Sequence, residues 1–252
     1  MTGCLEGKVA VLCGLSSAYA APLAEALERH GARLALVETD GARSGQFSAQ
    51  ALTLRSPSTA DDATAALESV YRSLGGADIL VTCPPATAYL PDSAATQTSF
   101  MDRIAEILNQ AYVWSAAAHP HMRQRGGVIV HVTGLAGMGG WPGWLAAGAG
   151  FAAVHNLIQG LAVTWATERV RINGLVPGVT AEMAEHMARI APQPSLEVVR
   201  KRIPAERLMP MEALANALLY LVNPSASFIT GDLLRVDGGW DIWGRLHAVA
   251  KS

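Results

Sequence analysis

The chain has 252 residues, half of them apolar, with a formal charge of −2 and 16% charged residues. That length suits one large α/β domain, and the near-neutral balance without a basic run argues against nucleic acid, whose phosphates require a basic stripe. Three cysteines are too few for a disulfide scaffold and point to a reducing compartment such as the cytoplasm, while a charged fraction well below the roughly 25% of an average domain suggests that part of the surface is hidden in a partner.

Val9–Leu12 reads as a β run, followed by a helix over Ala20–Arg29 with Leu23, Ala26 and Leu27 on one stripe. Leu34–Val37 is a second β run, and the Gly-, Ser- and Ala-rich stretch Asp40–Gln50 reads as a surface connection. A weak strand at Ala51–Leu54 precedes a helix over Ala60–Leu74 that opens on Asp61 and Asp62. Ile79–Thr82, a long helix Phe100–Met122, Val128–Thr133, a helix Phe151–Thr167, Ile172–Val176 and Leu233–Val236 complete the series. Continuous apolar strands alternating with helices predict an α/β fold, a doubly wound parallel sheet with helices on both faces. From Val128 to Thr167 there is no Asp, Glu, Lys or Arg, but Pro142, several glycines, His155, Asn156 and Gln159 interrupt the run. A buried strand and helix account for it better than a membrane span. Met1–Lys8 carries no apolar targeting region.

Ligands of such sheets sit at the carboxyl ends of the strands, near the reversal of strand order. There the chain resembles the short-chain dehydrogenase/reductase superfamily, in order and from end to end. Leu5–Val11 looks like its opening strand, and Arg171-Ile172-Asn173-Gly174-Leu175-Val176-Pro177-Gly178 resembles its run into the turn before the substrate lid. Ile203–Arg207, Phe228–Gly231 and Val236-Asp237-Gly238-Gly239 resemble its C-terminal signature. The resemblance implies one Rossmann-like domain over residues 1–252, with a lid at about 178–212 and a C-terminal interface tail at about 232–252. It also implies a nicotinamide cofactor and redox chemistry on carbonyls or alcohols.

Those catalytic residues are missing. The family uses a tyrosine to pass the proton, a lysine one helical turn later to lower its pKa and hold the ribose, and an upstream serine to bind the substrate oxygen. Their positions here carry Ala147, Phe151 and Gly134. None of the five tyrosines is followed one turn later by lysine, or by the arginine of the related halohydrin dehalogenases, so no shift of alignment restores the pair. Asn109 matches the asparagine that holds a water on the proton path in active members, although an asparagine there also serves helix structure.

The cofactor loop is eroded as well. Glycines serve there because backbone N–H groups must approach the pyrophosphate at a helix N-terminus. In Cys13–Ala20 the first glycine, Gly14, survives, but the other two positions are Ala18 and Ala20, with Tyr19 between them and Pro22 beyond. Glu38 stands where NAD-preferring members hold the ribose; Arg55 replaces the adenine-contacting aspartate, Thr82-Cys83-Pro84-Pro85 replaces Asn-Asn-Ala-Gly, and Glu182 replaces the threonine that meets the carboxamide. Gly14 and Glu38 are therefore expected as vestiges, with no cofactor bound by this chain and no metal.

Rival chemistries are thin. Cys13 and Cys83 end neighbouring strands, but nothing is evidently arranged to orient His131 as a base beside them, and buried structural cysteines are preferred. His119 and His121 read as a solvated helix end, and Met183, Met187, Met209 and Met211 as lid or core filling. The assembly surfaces look intact by comparison. Small residues at Ala146–Gly150, Ala152 and Ala153, with Ser115–Ala118 and Trp114, suit the close helix packing by which the family's subunits join, and Trp240, Ile242, Trp243 and Leu246 suit its second contact. The sequence therefore predicts a non-catalytic subunit of a hetero-oligomer, a heterotetramer in form, whose active paralogue binds NAD. Its pattern of losses resembles the non-catalytic subunits of two-subunit dehydrogenases of the 2-(hydroxybenzyl)succinyl-CoA kind, which implies a 3-hydroxyacyl-CoA substrate. Two alternatives remain open: a cofactor-independent lyase, isomerase or cyclase reusing the pocket, and an atypical NAD(H)-dependent oxidoreductase.

Overall fold

The computed structural model describes residues 3–38, 52–55, 60–89, 92, 97–190 and 196–244. Among them, β1 (Val9–Cys13), α1 (Ala20–Arg29), β2 (Arg33–Glu38), β3 (Leu52–Arg55), α2 (Ala60–Leu74) and β4 (Ile79–Thr82) form the first half. Then come α3 (Gln97–Met122), β5 (Gly127–Val132), α4 (Leu145–Trp165) and β6 (Val170–Pro177). The last part holds α5 (Ala181–Ile190), α6 (Leu196–Lys201), α7 (Met211–Val222), β7 (Leu233–Val236) and α8 (Trp240–Gly244). The strands make one sheet in the order β3-β2-β1-β4-β5-β6-β7, every neighbouring pair parallel. The order reverses between β1 and β4, which opens a crevice at their carboxyl ends.

Each face of the sheet carries its own core. Val11, Leu80 and Ile129 pack with Leu67 of α2, Trp114 of α3 and Phe151 and Ile158 of α4. On the other face Leu12, Leu36 and Val81 pack with Leu23 and Leu27 of α1 and Leu214 and Leu218 of α7. A third, smaller cluster joins Leu135, Val176 and Val179 to Ala184 of α5, Val199 of α6, Ile203 and Trp240.

The predicted strands all form, Ile79–Thr82 and Leu233–Val236 with the predicted bounds and the others with ends shifted by one or two residues, and the segment Asp40–Gln50 lies outside the described residues. Two differences stand out in the helices. α4 begins at Leu145, a full turn and more before Phe151, because the Asp92 carboxylate, beyond reach of a local reading, accepts the N–H groups of Leu145 and, at 3.3 Å, Ala146. α7 was not expected, although Leu214, Leu218 and Leu221 mark a buried stripe at helical spacing.

By length and composition Leu145–Glu168 could cross a bilayer, but 44% of its apolar window is buried within the protein, where Phe151, Val154 and Ile158 join the core. The small residues of α4 divide between its two sides. Ala146, Ala147 and Gly150 face inward, and a Cβ on Gly150 would stand 3.0 Å from Ile107 Cδ1, so this glycine lets α3 and α4 approach closely. Ala149, Ala152, Asn156 and Val163 lie on the exposed side with Leu145.

Candidate functional site

β1 is followed directly by Gly14, held at φ +84. A Cβ there would lie 2.2 Å from the carbonyl oxygen of Cys83 and 2.9 Å from Gln110 Nε2, so glycine is required by the close approach of the β1 and β4 ends themselves. In the following turn Ser17 N–H donates to Gly14 O at 3.0 Å, Tyr19 N–H to Ser17 Oγ at 3.4 Å and Ala20 N–H to Ser17 O at 3.1 Å. The Tyr19 side chain is buried in the α1 core and Ala18 is exposed. Glu38 is the register partner of Arg55 across β2 and β3.

Beyond β5, the positions expected for serine, tyrosine and lysine come together in space as Gly134, Ala147 and Phe151. The Phe151 ring lies against Gly134: a Cβ added there would sit 2.6 Å from Cε2 and 2.8 Å from Cδ2. Phe151 and Ala147 are buried. Phe151 forms one wall of a largely apolar cleft with Trp141, Trp144, Leu135 and, from α5, Met183; the cleft leaves room for little more than a water molecule. Asn109 is on the exposed side of α3, whereas its neighbour Gln110 reaches the β1–β4 crevice.

Under this cleft lies a polar layer that the sequence reading missed. His131 is buried between Thr82 of β4 and Ser115 of α3. Ser115 Oγ donates to the Ala111 carbonyl at 2.8 Å, so it accepts from His131 Nε2–H at 3.0 Å, and Nδ1 accepts from the Thr82 hydroxyl at 2.7 Å. This fixes the ring as the neutral Nε2–H tautomer, and burial brings its pKa down from 6.5 to about 4. His131 is thus oriented after all, but both nitrogens are engaged and neither is free to act as a base. His155 of α4 meets Thr133 Oγ1 at 2.9 Å; burial lowers its pKa, and a backbone hydrogen bond with Gly137 works the other way. Strand periodicity offered a signal, since Thr82, His131 and Thr133 are polar residues at apolar strand ends, and Thr82 and His131 are direct register partners.

Cys13 and Cys83 are fully buried and belong to cores on opposite faces of the sheet. Burial pushes the Cys13 thiol well up, with Cys83 adding to the effect, and takes Cys83 up to about 12. Both stay protonated at neutral pH and are poor nucleophiles. At the end of α3, His119 is stacked on Trp165 with centroids 4.1 Å apart and lies 2.7 Å from Glu168 Oε2, while His121 stacks on Tyr71, so this end of the helix is built rather than merely solvated. Met209 Sδ accepts from Gly178 N–H; the Met187 side chain lies outside the described residues. No group of three or more His, Cys, Asp or Glu able to hold a metal occurs among the described residues.

A parallel seven-stranded sheet with its crevice between β1 and β4 defines a dinucleotide-fold α/β protein of the doubly wound class. A family model described as enoyl-(acyl carrier protein) reductase matches residues 14–241. The chain is 30% identical over 249 residues to the peroxisomal 2,4-dienoyl-CoA reductase of Rattus norvegicus, covering 93% of this chain and 84% of that protein. It is 32% identical over 251 residues to the 4-formylbenzenesulfonate dehydrogenase of Comamonas testosteroni, covering 94% and 99%. A short-chain dehydrogenase/reductase structure from Serratia marcescens superimposes with a TM-score of 0.80 at 23% identity, covering 94% and 99%. The chain belongs to the short-chain dehydrogenase/reductase superfamily.

Proposed function

We propose that this chain is the non-catalytic subunit of a hetero-oligomeric, NAD-dependent short-chain dehydrogenase, completing an assembly with an active paralogue in the cytoplasm. One observation carries the reading: the Phe151 ring occupies the space beside Gly134, so the lysine and serine positions are filled by an aromatic contact that supplies neither charge nor proton. One positioned acid–base group is worth about 10²–10⁴ in rate, and here the whole set is absent.

A nicotinamide dinucleotide is the family's usual cofactor, and the residues present fit it poorly. Ala18, Ala20 and Tyr19 replace the open glycine turn, Pro22 has no N–H to offer, and the N–H groups of Ser17, Tyr19 and Ala20 are engaged within the loop. Gly14 is accounted for by strand packing alone. The outer side of α4, uncharged from Leu145 to Val163 (63% and 83% exposed), supports a partner subunit there, as do exposed Met101 and Tyr112 on α3. The substrate class proposed for the complex is a 3-hydroxyacyl-CoA, such as 2-(hydroxybenzyl)succinyl-CoA in anaerobic toluene degradation; similarity to a relative named as a 2,4-dienoyl-CoA reductase supports a coenzyme A thioester.

Native mass spectrometry of the complex purified from its own host tests this proposal. The expected result is a mixed assembly, a heterotetramer, in which the second subunit keeps Tyr-x-x-x-Lys and the glycine loop; a homo-oligomer alone rejects it. The end-to-end likeness to dehydrogenases favours a second reading, an atypical NAD(H)-dependent oxidoreductase. Calorimetric titration of the isolated chain with NADH separates the two: micromolar binding supports the second reading, silence at millimolar the first.

A further inference from the structure

The third core cluster contains an arrangement that neither the family's redox chemistry nor the assembly reading uses. Trp240, only 9% exposed, packs on its own chain among Leu135, Val179, Ala184 and Val199, and not on the free surface expected for an interface residue; Ile242 and Trp243 beside it are exposed. Its ring lies 5.5 Å from that of Trp141, a wall of the apolar cleft. The guanidinium of Arg202, just past the lid helix α6, lies 5.6 Å from the Trp240 ring centroid.

The turn that presents Trp240 is rigidly built. Asp237 accepts the N–H groups of Gly239 and Asp241, both at 2.9 Å, and Arg235 pairs with Asp241 at 2.9 Å. Gly238 and Gly239 adopt left-handed φ values of 62 and 91, and a Cβ on them would stand 2.8 Å from Ile203 and 3.0 Å from Pro204. Ala205 N–H donates to Gly238 O at 3.1 Å, which ties the base of the lid to the same turn. Met183 of α5 meanwhile lines the cleft.

We propose that the C-terminal turn is a strap that holds the lid shut over the aromatic cleft, with Trp240 as the latch between Trp141 on the site side and Arg202 on the lid side. A ligand reaches the cleft only after this latch releases. The device belongs to the chain's own fold and operates whether or not the chain transfers hydride.

Hydrogen–deuterium exchange on the full chain tests the strap, read in peptides from α5 and α6 and compared with α4 and α7. Trp240→Ala is the direct variant; Trp240→Leu keeps apolar bulk, and Arg202→Ala changes an exposed residue. Loss of the ring contacts is expected to raise exchange in α5 and α6 by about tenfold in the Trp240 variants and by a smaller factor in Arg202→Ala, with α4 and α7 unchanged. Lid exchange that stays at the wild-type level in the folded variants, or that rises only together with α4 and α7, overturns the proposal.

Discussion

Gly134 and Phe151 show how a single contact decides what a site can do. Serine at position 134 would drive its Cβ into a buried aromatic ring. Gly134→Ser is therefore expected to lose about 1–3 kcal/mol of stability in urea unfolding, and Phe151→Ala about 3–5 kcal/mol through the cavity it leaves. The double variant should lose less than the sum, because each change relieves the other; strict additivity would mean that the two residues do not share the space. His131 gives a pH dependence at the same scale. The unfolded chain takes up its proton near 6.5 and the folded chain only near 4, so between these values the unfolded state binds more protons. Stability is complete above 6.5 and falls as pH drops toward 4, by roughly 3 kcal/mol from this residue. Denaturation midpoints measured from pH 7 to 4 should fall less steeply in His131→Asn than in the wild type; parallel curves would count against the assignment.

At the scale of elements, α4 is the piece whose start was hardest to read. Its first turn is rich in alanine and glycine, which carry little apolar periodicity, and its cap comes from Asp92, far away in sequence. Asp92 also lies 3.9 Å from Arg103, so an anion at the start of α4 is balanced by a cation from α3. Asp92→Ala should cost about 1–2 kcal/mol and loosen the first turn of α4, measurable as faster amide exchange at Leu145 and Ala146. The strands are far more legible, because buried parallel strands are short continuous apolar runs, and Gly134, Ala147 and Phe151 are readable by alignment as the positions where the family resemblance expects serine, tyrosine and lysine. The walls supplied by Trp141, Trp144 and Met183 were not, since they converge from separate loops and helices only through the tertiary fold. The polar layer of Thr82, His131 and Ser115 stayed hidden for the same reason: Ser115 comes from α3, and only packing brings it to the sheet.

For the whole molecule, the contrast lies between a site lined by aromatics and an outer surface of α4 that carries no charge from Leu145 to Val163. In the family reading this surface meets another subunit, so a buried carboxylate would be costly there and an exposed one nearly free. Leu145→Glu with Val163→Glu is expected to leave the folded chain's melting temperature within a few degrees while reducing the assembly to smaller species in native mass spectrometry. An unchanged mass would place subunit contacts elsewhere, with Ile242 and Trp243 as the next exposed apolar residues to change.

Gly14 stands at the start of the loop by which dinucleotide folds are commonly recognised, yet here the carbonyl of Cys83 leaves no room for any other residue. The architecture would retain that glycine even if no nucleotide ever entered the crevice. A genome survey keyed on it would therefore count chains with and without a working site as one population, and only the positions that the family resemblance assigns to cofactor and catalysis, such as 18, 20, 147 and 151, could tell them apart.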